Sequence, residues 1–114
     1  MLITLEEAKT YLRVDSTLEE PLVLGLLPAA EKMVMDVARL DAEQWQSVCD
    51  PDTDTFVLRG TELSAAEIMM LRDLLRTAVL FTLGYLYEHR EEADHHELVL
   101  TLRNLLFSVR EGVL

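Results

Sequence analysis

The stretch SAAEIMMLRDLLRTAVLFTLGYLYEHR, residues 64–90, constrains the fold of this chain more than any other. Ser64 and Glu67 have the capping-box spacing, in which each side chain bonds the other residue's free backbone N–H, so a helix is predicted from there to about His89 or Arg90. Ile68, Leu71, Leu75, Ala78, Val79, Leu83 and Leu86 line one face, and Met70, Leu74, Phe81 and Tyr85 occupy much of the opposite one. A helix that is apolar nearly all round has to be covered on both sides. With 114 residues the chain, 1–114, is expected to form one domain around one core. The second cover is therefore expected from another subunit, with Leu74, Phe81 and Tyr85 in the interface. Gly84 reads as a close helix approach.

The rest of the chain reads as further helices. Thr4 and Glu7 repeat the capping-box spacing ahead of a short helix from Leu5 to about Arg13, whose apolar side is Leu5, Ala8, Tyr11 and Leu12. A second long helix begins near Leu18 to Pro21 and runs to about Leu40, burying Leu22, Val23, Leu26, Leu27, Ala30, Met33, Val34 and Val37, with Pro28 predicting a kink. A last helix from about His96 to Val109 buries Val99, Leu102, Leu105, Leu106 and Val109. The fold class is all-α: a short N-terminal helix, two long helices and a C-terminal helix. Residues 41–63 show no helical period after Trp45 and read as a long acidic loop with a β-prone piece, Phe56 to Leu58. A loop of ~20 residues in a small domain is more often functional than ornamental, so it is expected to be a contact arm.

Ten Lys and Arg against 21 Asp and Glu give a net charge of −11, which opposes sequence-specific DNA binding. The acidity is uneven. Residues 41–64 carry one cation and six anions and residues 88–97 one and five, whereas residues 65–87 balance at two and two. A single cysteine, Cys49, permits no intrachain disulfide and fits a reducing compartment. The chain start has no signal-peptide pattern and no apolar run reaches the ~20 residues of a membrane span, so a soluble, intracellularly made protein is expected.

Two acidic stretches invite a metal reading. Glu92 and His95 have the Glu-x-x-His spacing that shares a helix face, but a di-iron bundle needs that motif twice plus two more carboxylates. His89, His95 and His96 are therefore read as belonging to a solvated acidic linker. Asp50, Asp52 and Asp54 imitate the start of an EF-hand loop, yet the sixth position is Thr55 and the twelfth Thr61, with Glu62 one place late. There is no G-x-S-x-G and no phosphate-binding glycine loop. The reading assigns no catalytic residue, cofactor or metal, and the chain is not expected to be an enzyme.

The order of these elements carries a resemblance. The start ITLEEAKTYLRVD (Ile3 to Asp15), the helix ending AVLFTLGYLYEHRE (Ala78 to Glu91) and LLFSVR (Leu105 to Arg110) together resemble the small head-tail connector family of long-tailed bacteriophages. Ser64 stands where that family usually has proline, and Val109 where tyrosine is common. The resemblance implies a four-helix subunit in a homo-oligomeric ring beneath the portal protein, joined below to a head-tail joining or tail-completion protein. It would be made in the host cytoplasm and end in the virion, with DNA passing through unbound and no membrane involved. An anionic ring suits sliding DNA, since it repels phosphate. Partner contacts are expected from Phe56, Val57 and Leu58 of the arm and from Arg110, Val113 and Leu114 of the tail. The reading from a different class is an acidic helical regulator that masks a basic partner protein.

Overall fold

The computed structural model describes residues 1–91 and 94–113. Among them are helices α1 (Leu5–Leu12), α2 (Glu20–Val37), α3 (Ala42–Cys49), α4 (Ala65–Glu88), α5 (His96–Leu105) and α6 (Phe107–Glu111), and a hairpin of β1 (Val57–Leu58) and β2 (Thr61–Glu62). The protein is all-α apart from that hairpin.

Local chemistry sets the helix ends. Thr4 with Glu7, Asp41 with Gln44, and Ser64 with Glu67 form reciprocal capping boxes that start α1, α3 and α4. α1 stops where Arg13 turns left-handed at φ 59°, with the Val14 N–H donating back to the Lys9 carbonyl at 3.0 Å. Pro21 lies in the first turn of α2, where its missing N–H costs nothing. α2 runs unbroken through Pro28, which sits on the exposed side next to exposed Leu24 and Gly25.

The core is built on α2 against α4. They run antiparallel, as two ties show: Glu19 at the start of α2 meets Tyr87 near the end of α4, and Glu31 and Arg76 further along both hold Leu2. Val23, Leu27, Ala30 and Val34 face Ile68, Leu71, Leu75, Ala78, Val79, Leu83 and Leu86, all buried. The seven residues expected on the inner face of α4 are all in this core. Among the described residues Glu31 is the one buried carboxylate. Its Oε2 accepts the N–H groups of Leu2 (2.7 Å) and Ile3 (3.3 Å), satisfying a buried charge and pinning the chain start. Arg76 holds the same strap from α4, donating to the Leu2 carbonyl at 2.8 Å and pairing with Glu7.

Residues 41–63 depart from expectation. They are folded onto the core, not extended as an arm. Asp41 and Gln44 cap α3, which buries Trp45 and Val48, and Arg72 of α4 donates to the Val48 (3.0 Å) and Asp50 (2.7 Å) carbonyls where α3 ends. The hairpin then turns through Arg59 and Gly60, both at positive φ (51° and 80°), as a two-residue hairpin turn requires. Alternation across the strand sends Phe56 and Leu58 inward, 4% and 2% exposed, and Val57 outward. The last helix is also two pieces: α5 and α6 break at Leu106, and the inward positions are Leu98, Leu102, Leu106 and Val109, with Val99 and Leu105 only partly buried.

Removing the α3 cap is expected to cost about 1 kcal/mol in Asp41→Ala, measured by denaturant unfolding. An unchanged midpoint would mean that Trp45 and Val48 packing alone holds α3.

Candidate functional site

α1 lies against α4, paired through Glu7 with Arg76 and packed through Tyr11 against Gly84. A Cβ there would stand 3.1 Å from Tyr11 Cε2, so only glycine lets the tyrosine ring sit against the helix backbone without displacement. The expected close approach at Gly84 is thus the seat of Tyr11. Along this seam runs an open groove of about 510 Å³ lined by Tyr11, Leu12 and Arg13 from α1 and its cap, and by Phe81, Gly84, Tyr85, Tyr87, Glu88 and His89 from α4 and its end. On the far side of Tyr11 a second cleft is lined by Glu6, Glu7, Thr10, Tyr11 and Leu80. Tyr11 is a ridge between the two.

The groove is aromatic and largely pre-set. Tyr85 stacks on His89 with ring centroids 4.1 Å apart and planes 16° apart, and His95 meets the same tyrosine edge-on at 6.0 Å. His89 Nδ1 lies 2.9 Å from the Tyr85 carbonyl. The Tyr87 hydroxyl donates to Glu19 at 2.6 Å, which holds the phenol and raises its pKa, and Arg90 covers the Tyr87 ring at 5.1 Å. Lys9 donates to Glu20 at 2.7 Å, a bond that raises the lysine's pKa and ties α1 to the start of α2.

The expected interface residues divide. Phe81 is 39% exposed at the groove edge, while Tyr85 is half-buried in the groove wall and Leu74 packs partly on the core. Met70 is exposed, and Met69 beside it was not foreseen. Together Met70, Leu74, Phe81 and Tyr85 trace about 22 Å of α4. Tyr11 and Arg13 belong to the site although sequence spacing does not place them with Phe81, whereas His89 follows Phe81 and Tyr85 at the four-residue spacing of α4.

Of the expected partner contacts, Phe56 and Leu58 are corrected: they fill the core and have no surface to offer. Val57 and Val113 are exposed, and Leu114 lies outside the described residues. Arg110 is partly buried and donates to the Val37 carbonyl at 2.6 Å, closing the end of α2. Glu92 of the Glu-x-x-His pair lies outside the described residues. Among the described residues no group of three His, Cys, Asp or Glu side chains is arranged to hold a metal ion. Burial pushes the Cys49 thiol above its ordinary pKa, which keeps it protonated. Among the described residues no helix is long and apolar enough to cross a membrane. Comparison with protein-family models, with curated proteins and with solved structures finds no match.

The hydrogen bond from Arg76 is the main cause that holds the Glu7 carboxyl below the ordinary carboxylate range. A depressed folded-state pKa contributes stability that is present above the unfolded value and lost as pH falls through the folded one. Glu7→Gln keeps an acceptor for the Thr4 N–H but loses the charge. Its melting temperature is therefore expected below wild type at about pH 7, with the gap narrowing as pH falls through the acid range. A gap of constant size across that range would show that the charge on Glu7 contributes nothing.

Proposed function

We propose that this protein is a structural subunit of the bacteriophage head-tail connector, forming a ring under the portal that closes the packaged head and offers the tail its attachment point. One observation carries the reading. The two segments with the strongest family resemblance, Ile3 to Asp15 and Ala78 to Glu91, are far apart in sequence, yet every residue lining the α1–α4 groove belongs to one or the other. Residues that resemble a family while sharing one surface point to a common use of that surface. In this reading α1, α2, α4 and α5 are the four helices of the connector subunit, with α3, the hairpin and α6 added to them.

Assembly supplies the missing cover. The outward stripe of Met70, Leu74, Phe81 and Tyr85 is the surface that a neighbouring subunit would bury. Val57 and Val113 remain available to the portal or to the downstream joining protein. The acidic surface suits a lumen through which DNA slides without sequence-specific contact, because like charges repel. The reading as an acidic regulator needs a free array of carboxylates. Several acids are instead engaged with their own chain: Glu7, Asp41 and Glu67 in capping boxes, Asp50 and Asp94 at backbone N–H groups, and Glu31 at the chain start.

Deleting the reading frame from its parent phage genome and imaging the lysate by negative-stain electron microscopy is expected to show tailless heads that leak DNA, beside free completed tails. Normal infectious particles would overturn the reading. Complementation with Phe81→Asp is expected to fail although the purified variant keeps the wild-type helical circular dichroism. Full complementation would remove the α4 stripe from the interface.

A further inference from the structure

The four arginines Arg39, Arg59, Arg103 and Arg110 gather at one end of this strongly acidic molecule. Arg39 follows the end of α2, and Arg110 binds the last α2 carbonyl, of Val37. Arg59 donates from the hairpin turn to the Arg110 carbonyl at 3.0 Å, and Arg103 shares with Arg39 and Arg110 the walls of an open hollow of about 320 Å³. Among the described residues none of the four forms an ion pair, whereas Lys9, Lys32 and Arg76 each do. Among the described residues Glu111 is the only carboxylate lining that hollow. The same hollow carries exposed apolar groups, Phe107 at 60% and Leu100. Like charges gathered without ion-pair partners repel one another, and a partner with carboxylates and an apolar anchor relieves both costs at once.

The opposite end has that composition. α2 is 18 residues long, so its two ends lie about 27 Å apart. At its start the bond between Tyr87 and Glu19 brings the end of α4 alongside, and exposed Asp15, Glu88, Glu91, Asp94 and Glu97 outnumber Arg13 and Arg90 there. Leu18, 88% exposed, and exposed Leu24 supply the apolar anchor.

We propose that the arginine end of one copy receives the acidic end of the next, so that copies join head to tail. The contact rests on the ring reading above and adds two oppositely charged surfaces to the α4 stripe at the junction between neighbours. Contacts between two different patches of identical chains produce rings when the rotation closes. Nucleic acid fits the patch less well. A phosphate backbone would meet the arginines but leave Phe107 and Leu100 uncovered, and a net charge of −11 opposes its approach.

The experiment is sedimentation velocity on the full chain at low salt, with circular dichroism to verify folding. Two variants are compared with wild type: Arg39→Glu with Arg103→Glu, and Glu91→Lys with Glu97→Lys, all at exposed positions. Wild type is expected to self-associate with rising concentration, and less so as salt rises. Each folded variant is expected to associate at least ~10-fold more weakly, since like charges now face each other, and an equal mixture of the two to regain association. Wild type that stays monomeric, variants that associate as wild type does, or a mixture that regains nothing would each overturn the contact. Failure here is separable from failure of the connector role. Monomers together with tailless heads in the deletion phage would sink the contact alone, and charge-dependent association together with fully infectious deletion phage would sink the connector role alone.

Discussion

The need to cover α4 organises this molecule. A 24-residue helix with apolar side chains on most of its circumference cannot stand beside a single partner. α2 covers one side, α1 and α5 pack at its flanks, and α3 covers part of its N-terminal half. Arg72 and Arg76 then work outward from α4, one closing the end of α3 and the other holding the chain start beside Glu31. What is left uncovered is a narrow line from Met70 to Phe81 that runs into the Tyr11 groove. Burying about one more aromatic side chain there is favourable by a few kcal/mol, which is enough to bias association but not to replace the core.

How much of this was legible follows from the kind of signal each part carries. α1, α2 and α4 announce themselves by caps and a sustained apolar period, both local. α3 carries the same kind of cap at Asp41 and Gln44, but its short length and acidic setting hide the period, so the segment reads as loop. The Arg59-Gly60 turn needs positive φ at both positions, a property arginine does not advertise. Phe56 and Leu58 look like a protruding apolar tip until strand alternation turns both inward. The break at Leu106 has no proline or glycine to mark it. In the groove, Phe81, Tyr85 and His89 follow from the period of α4 and its C-cap, but Tyr11 and Arg13 join them only through contacts between distant segments. Gly84 is the one local hint of that meeting.

Charge has two roles here. Many carboxylates are used at short range, as helix caps and as acceptors at the chain start, where they satisfy N–H groups that would otherwise go unpaired. The remainder lie unevenly, with the arginine cluster at the end of α2 set against an acidic opposite end. That polarity along one helix, and the aromatic groove on its partner, are the two features of the surface that folding alone does not require. In the connector reading both are assembly surfaces, and the anionic remainder faces DNA in transit.

The most direct measurement of the connector proposal is quantitative mass spectrometry of tailed particles purified from the source whose genome carries this reading frame. The account predicts that the chain is present in every preparation at a copy number close to that of the portal protein and stays with the heads when tails are sheared off. Absence from the particles would contradict the account, and so would co-purification only with tails.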